Sequence, residues 1–84
     1  MGAGVGRGRV VVTGGAGFIG SHVAEAFRAE GWAVAVADDL SRGRKSAVPP
    51  DAELWVADVG TARFAELVAA FRPDVVVHLA AQVS

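Results

Sequence analysis

The most constraining feature of this chain is a group of closely spaced glycines between an apolar segment and an amphipathic one. Arg9-Val10-Val11-Val12-Thr13 precede the glycines, and between Gly17 and Glu30 helical spacing relates Ile19, Val23, Ala26, Phe27 and Glu30. An uninterrupted β-branched run is typical of a parallel strand buried on both faces, and recurrence every three or four residues is typical of a helix. The glycines therefore occupy a turn from a strand into a helix.

Gly14, Gly17 and Gly20 follow one another at intervals of three residues in this turn. The first glycine permits a tight exit from the strand, the second lets a pyrophosphate approach the backbone, and the third lets the helix pack closely on the sheet. The N–H groups of Phe18 and Ile19 would face the anion at the positive end of the helix dipole. The spacing predicts a dinucleotide site, and the alternative is a glycine-rich turn without a ligand.

The rest of the chain alternates between strand and helix patterns. Strands are predicted at 33–37, 53–57 and 74–79; residues 40–51 form an irregular connection, and a helix capped by Thr61 runs to about Arg72, where Pro73 forbids its continuation. The resulting order, β-α-β-β-α-β, predicts an α/β fold with right-handed crossovers, a parallel sheet and flanking helices. This is the N-terminal half of a Rossmann-type domain.

The domain organisation predicted from this pattern is simple. Residues 1–8 form a flexible glycine-rich leader, and residues 9–84 form the N-terminal part of one nucleotide-binding domain. The fourth strand should lie beside the first, which leaves Val75-Val76-Val77 as an apolar edge and makes the isolated chain marginally stable.

Acidic residues follow the second and third predicted strands. Asp38 lies 24 residues beyond Gly14, where a carboxylate can accept hydrogen bonds from both hydroxyls of an adenosine ribose and repel a 2′-phosphate. NAD is therefore favoured over NADP, although Arg42 and Arg44 lie near enough in sequence to accommodate that phosphate. Asp58, with the Val59 backbone, could hydrogen-bond the adenine amine; the alternative role for Asp58 is that of a helix-entry residue.

The remaining polar and aromatic candidates are interpreted as structural. His22 is expected in an early helix turn and His78 as a satisfied histidine in a strand, and Trp32 and Trp55 as packing residues. The chain contains no cysteine, and neither histidine has other potential metal ligands at a metal-binding spacing in the sequence, so no metal site is expected.

The charge balance argues against several classes of partner. Eight basic and nine acidic residues give a net charge of −1, which provides no broad positive field for nucleic acid or an anionic membrane. No apolar run approaches the roughly 20 residues that span a bilayer, and the start lacks a signal-peptide core. A cytoplasmic location is the default expectation.

Four motifs in this order resemble the extended short-chain dehydrogenase/reductases. They are Thr13-Gly-Gly-Ala-Gly-Phe-Ile-Gly-Ser-His22, Asp38-Asp39-Leu40-Ser41, Asp58, and His78-Leu79-Ala80-Ala81-Gln82. Within that family they are most similar to the NAD-dependent epimerase/dehydratase group, in particular to its epimerases of UDP-glucose.

The resemblance implies a set of NAD contacts along the chain. The pyrophosphate would lie on Gly14, Gly17, Phe18, Ile19 and Gly20. The adenosine ribose would be bound by Asp38, with Asp39, Ser41, Arg42 and Gly43 around it; the family often has Asn where Asp39 stands. Asp58 and Val59 would contact adenine, and Leu79, Ala80, Ala81 and Gln82 would line the cofactor.

One departure from the family limits what these 84 residues can do. The family's catalytic tyrosine stands four residues before a lysine, but this chain has no tyrosine, and its single lysine is Lys45. The resemblance thus implies an inactive N-terminal part of an enzyme that binds a nucleotide sugar and dimerises only when complete. The alternatives are a non-catalytic nucleotide-binding module, or part of a related nucleotide-sugar decarboxylase or reductase; a Tyr-x-x-x-Lys encoded beyond Ser84 would favour the enzyme.

Overall fold

The computed structural model describes residues 8–14, 18–40, 48–58 and 60–79. In that part of the chain, four strands and two helices follow one another in the predicted order, β-α-β-β-α-β. They are β1 (Arg9–Thr13), α1 (Phe18–Ala29), β2 (Ala33–Asp38), β3 (Glu53–Val56), α2 (Ala62–Phe71) and β4 (Val75–His78). Their bounds differ from the predicted ones by at most one residue, as is usual where elements fray.

The four strands form one parallel sheet in the order β3-β2-β1-β4. In the register, Val12 of β1 lies between Val36 of β2 and Val77 of β4. The central strands β1 and β2 are buried on both faces except at their first residues, which explains their uninterrupted apolar sequences. The predicted place of β4 beside β1 is confirmed, and Val76 on this strand is 50% exposed.

Helix α1 covers one face of the sheet. Ala24 is fully buried, and Val23 and Phe27 pack against the cluster that Val10, Val12, Val34 and Val36 form on this face. Ile19, placed in the same helical stripe by the sequence, is instead 65% exposed. Gly20 in the same first turn is buried and Ala26 in a later turn is exposed, so the buried face of α1 is centred on Gly20, Ala24 and Phe27, and Ile19 lies at its margin.

Helix α2 packs on the opposite face, mainly through one tryptophan. Trp55 of β3 is 8% exposed and belongs to a second cluster with Val11, Ala35 and Ala37, against which Phe64, Leu67, Val68 and Phe71 pack. The Trp55 ring meets that of Phe71 edge-on, with centroids 5.5 Å apart. Trp55 is therefore a packing residue, and so is Trp32, which packs against the α1-side cluster.

The bounds of α2 follow from the residues that the sequence singled out. The Thr61 side chain accepts a hydrogen bond from the Phe64 N–H, which makes Thr61 the N-cap. At the other end Arg72 adopts a left-handed conformation (φ 55°) and its N–H donates to the Val68 carbonyl, directly before Pro73. Both predicted ends of this helix are thereby confirmed.

Candidate functional site

The candidate site lies where the chain changes direction in the sheet. From β1 the chain passes through α1 to β2 on one side, whereas β4 joins the other side of β1. The carboxyl ends of β1 and β4 therefore border a topological switch point, which is where open parallel sheets bind their ligands. All the predicted site residues that the structure describes lie at this edge or in the first turn of α1.

The glycine turn begins with a backbone that suits its predicted role. Gly14 directly follows β1 with φ 76°, a left-handed conformation that glycine adopts without steric cost. Its N–H donates to the Ala37 carbonyl at 2.7 Å, so the exit from β1 is fixed against β2. Six residues further along the sequence, Gly20 is buried in the first turn of α1, which agrees with a glycine that permits close helix–sheet packing.

Helix α1 presents its amino end to the same edge. It starts at Phe18, and the first N–H groups of any helix lack acceptors within it. Those N–H groups and the positive end of the helix dipole favour an anion at this position. Gly14 and the start of α1 are the two described ends of the predicted phosphate-binding turn; Gly15, Ala16 and Gly17 between them lie outside the described residues, and the phosphate contact stays a prediction.

Asp38 is the last residue of β2 and is only 9% exposed. Its Oδ1 accepts a hydrogen bond from the Leu40 N–H at 2.7 Å, and its carbonyl accepts one from the Ala57 N–H at 3.2 Å. Leu40 reaches this position with φ 65°, a conformation that costs a non-glycine residue roughly 1 kcal/mol. The carboxylate is thus oriented by local backbone at the edge of the candidate site, while the neighbouring Asp39 is exposed.

Asp58 follows β3 and organises the entry into α2. Its Oδ1 accepts the Gly60 N–H at 3.0 Å, and its carbonyl accepts the Thr61 hydroxyl at 2.7 Å. These bonds are those of the helix-entry residue that the sequence allowed as the alternative. The contact of Asp58 with adenine stays a prediction.

A hydroxyl–imidazole pair that the sequence did not indicate joins β1 to β4 at the switch point. Thr13 Oγ1 lies 3.0 Å from His78 Nδ1 and accepts the Leu79 N–H at 2.9 Å. His78 is therefore a satisfied strand histidine, as predicted, and His22 is an exposed residue of the first turns of α1. Thr13 and His78 are 65 positions apart in the sequence, so the pair can be recognised only when the register of β1 against β4 is known.

Several predicted cofactor contacts lie outside the described residues. They are Gly17, Ser41, Arg42, Gly43, Val59, Ala80, Ala81 and Gln82. Within residues 8–14, 18–40, 48–58 and 60–79, no group of three or more acidic, histidine or cysteine residues could hold a metal ion. Neither of the helices described there has the length and apolar character to cross a membrane.

Comparison with known proteins identifies relatives of this arrangement. Residues 10–84 match the model of the NAD dependent epimerase/dehydratase family. The chain is 43% identical over 76 residues to the UDP-glucose 4-epimerase of Azospirillum brasilense and 46% identical over 81 residues to that of Mycolicibacterium smegmatis. These alignments cover 89% and 90% of this chain but 22% and 26% of the relatives, so the chain spans about a quarter of their length.

Solved structures show the same fold in similar proteins. The UDP-glucose 4-epimerase of Thermus thermophilus in complex with NAD is 44% identical, with a TM-score of 0.83 over 90% of this chain and 25% of that one. The Thermotoga maritima UDP-glucose 4-epimerase with UDP-glucose is 38% identical, with a TM-score of 0.84 over the same shares. The fold, the switch-point geometry and the family match agree: this chain belongs to the NAD-dependent epimerase/dehydratase family.

Proposed function

We propose that this chain is the NAD-binding part of a nucleotide-sugar epimerase of the UDP-glucose 4-epimerase type. The observation that carries the proposal is the meeting of three features at one sheet edge: the left-handed Gly14 turn, the amino end of α1 and the buried Asp38 carboxylate. A dinucleotide needs these features together, because its pyrophosphate and its adenosine ribose lie a short distance apart. The residues present therefore fit NAD.

The pyrophosphate lies on the turn and the start of α1 in this proposal. Gly14 and Gly17 leave room for the anion, and the N–H groups of Phe18 and Ile19 donate to it. Gly20 serves the site indirectly: its burial lets α1 approach the sheet so that the helix axis points at the phosphates.

The adenosine ribose lies at the end of β2. The Asp38 carboxylate accepts hydrogen bonds from the two ribose hydroxyls, with Asp39, Ser41, Arg42 and Gly43 surrounding the sugar. Because Asp38 is held at the edge by Leu40, a 2′-phosphate would meet a fixed negative charge. This is the reason to assign NAD and not NADP, in agreement with the NAD complex of the similar Thermus protein.

The adenine and nicotinamide sides follow from the ends of the outer strands. Asp58 and Val59 after β3 contact adenine, and Leu79, Ala80, Ala81 and Gln82 after β4 line the remainder of the cofactor. Asp58 uses one carboxylate oxygen for Gly60, and an adenine amine would bind its other oxygen.

The chemistry of the complete protein divides between the cofactor and residues beyond these 84. When bound, NAD would accept a hydride from the sugar ring of a nucleotide sugar and return it. The residues of this chain bind and orient the cofactor; with no tyrosine in the sequence, the acid–base group is supplied elsewhere.

We also propose a cytoplasmic homodimer for the complete protein, with no nucleic-acid or membrane partner.

The experiment is a titration of the protein, in its natural full length, with NAD and with NADP. Asp38→Ala removes hydrogen bonds to a charged acceptor, worth about 1.5–3 kcal/mol, so NAD affinity should fall roughly 10- to 100-fold. The preference for NAD over NADP should shrink at the same time.

The matched control is Glu66→Ala, which removes an exposed carboxylate on α2, outside the proposed site, and should leave NAD affinity unchanged. Unchanged NAD affinity and unchanged cofactor preference in Asp38→Ala would contradict the role of Asp38. Failure of the wild-type protein to bind NAD at all would contradict the proposed function.

A further inference from the structure

Leu40 adopts a backbone conformation that residues with a side chain disfavour. Its φ is 65°, and in the described part of the chain Arg72 is the other non-glycine residue with a positive φ. Arg72 ends α2 directly before Pro73, in a left-handed helix cap of a common kind. Leu40 follows a strand and caps no helix, so its strain has another origin. Strained residues of this sort are concentrated at functional sites.

Two anchors, one on each side of Leu40, account for its conformation. Before it, the Leu40 N–H donates to Asp38 Oδ1 at 2.7 Å, and the direction of this bond is fixed because a backbone N–H can only donate. After it, the connection to β3 is held at Val48, Pro49 and Ala52: Pro49 is buried, and the other two pack against the cluster on the α1 face of the sheet. With the N–H fixed, φ at Leu40 sets the direction in which the chain leaves for Val48.

The two anchors differ in strength. The later one combines three packed apolar side chains with a hydrogen bond from the Ala52 N–H to the Pro49 carbonyl at 3.0 Å. The earlier one is a single hydrogen bond to Asp38. If Leu40 rotated to a negative φ, the weaker anchor would give way first. A residue at position 40 that resists a positive φ would therefore release the Asp38 carboxylate.

Release of this carboxylate would matter for the choice of cofactor. Asp38 is only 9% exposed, and a buried charge needs hydrogen bonds in place of the water that it has lost. The Leu40 N–H supplies one such bond and occupies one of about four lone-pair sites on the carboxylate, so the ribose hydroxyls can still bind. Without that bond the side chain can rotate, and its charge no longer stays opposite the position of a 2′-phosphate.

We propose that Leu40 is a positioning residue that sets the preference for NAD over NADP. Its left-handed backbone keeps the Asp38 carboxylate in place, and the Leu40 side chain itself binds no part of the cofactor. The inference rests on the proposed NAD site, and it assigns a role to a residue that the predicted cofactor contacts do not include.

The test is a titration of the natural full-length protein and its variants with NAD and with NADP. Leu40→Val introduces a β-branched side chain, for which a positive φ is a genuine outlier. We expect NAD affinity to fall about three- to tenfold, the range for one hydrogen bond, and the preference over NADP to shrink. Leu40→Gly adopts the same conformation without steric cost and should keep both the NAD affinity and the preference within about twofold of wild type.

Leu40→Ala separates the backbone from the side chain. Alanine lacks most of the leucine side chain but meets the same steric limits at positive φ, so this variant should also bind NAD within about twofold of wild type. Equal losses of NAD affinity in Leu40→Ala and Leu40→Val would assign the effect to the side chain and overturn the proposal. A lowered melting temperature in Leu40→Val with unchanged affinity and preference, measured where the protein is folded, would overturn it too.

Asp38→Ala distinguishes failure of this inference from failure of the proposed function. Because Leu40 acts through Asp38, Leu40→Val should weaken NAD binding no further when Asp38→Ala is already present, and additive losses would contradict the proposal. Weakened binding in Asp38→Ala with unchanged binding in Leu40→Val rejects only the positioning role. Absence of NAD binding in the wild-type protein rejects both.

Discussion

Gly8 shows how a single backbone conformation anchors the amino edge of the sheet, opposite the candidate site. It has φ 117°, which side-chain-bearing residues rarely adopt, and its carbonyl accepts the Ala33 N–H at 2.9 Å. A Cβ at this position would stand 2.6 Å from Asp74 Oδ2. That oxygen is already held by the Arg9 N–H at 2.9 Å, so it cannot retreat without losing a hydrogen bond.

We therefore expect Gly8→Ala to destabilise the protein by about 1–3 kcal/mol, through backbone strain and the displaced Asp74 carboxylate. Gly60→Ala is the matched control, because among the described residues a Cβ there meets Asp58 Oδ1 alone, at an ordinary 3.7 Å. Its effect should be within about 0.5 kcal/mol of zero. Urea unfolding of the two variants checks the difference, and equal midpoints would contradict this account of Gly8.

Sequence reasoning located some of these residues and missed others for a physical reason. The place of Gly14 and Asp38 at the ends of neighbouring strands followed from spacing, because parallel strands present their carboxyl ends at one edge. The bond between Thr13 and His78 depends on the register of two strands brought together only by folding. The sequence also assigned Gly8 to the leader, whereas its carbonyl bonds to Ala33 beside β1.

At the scale of elements, the two helices differ in how firmly they are attached. Helix α1 has a fully buried residue, Ala24, whereas none of the residues of α2 is buried. Contacts with Trp55 hold α2 on the sheet. Because α2 buries less than α1, the hydrogen bonds that cap its ends contribute a larger share of its stability. A helix of ten residues is marginal without such help.

Loss of the cap should accordingly be visible in α2 before it is visible elsewhere. Thr61→Ala removes the acceptor of the Phe64 N–H and should cost about 1 kcal/mol. Hydrogen exchange should accelerate in the amides of Ala62–Phe71 and stay unchanged in β1, while Thr61→Ser should behave as wild type. Equal acceleration in β1 and α2 would show that the helix opens only with the whole sheet.

The bounds of the elements were predicted well where particular residues mark the start or end of a helix or strand. Thr61 and Pro73 marked the ends of α2, and the β-branched run marked β1. The stripe of α1 was predicted less well, because spacing placed Ile19 and Ala26 on it and both are exposed. The buried face is centred instead on Gly20 and Ala24, and a glycine in a binding turn gives no hydrophobic signal from which this rotation of the helix could be predicted.

At the scale of the whole molecule, the topology collects residues that are distant in sequence. The order β3-β2-β1-β4 brings Gly14, Asp38 and Leu79 to one edge, while the opposite edge holds Gly8, Trp32 and Asp74. The outer strand β4 remains apolar and open, with Val75 36% and Val76 50% exposed. Marginal stability of the isolated 84 residues, which this edge favours, stays a prediction.

An amide chemical-shift map of the natural full-length protein, recorded during titration with NAD, locates the cofactor on the sheet. We expect the largest changes at Gly14, Ile19, Leu40 and Leu79, because these amides surround the switch point. Gly8 and the other residues of the amino edge should remain unperturbed. Changes centred on that amino edge, or no change at millimolar NAD, would contradict the claim that this chain binds the cofactor where β1 and β4 end.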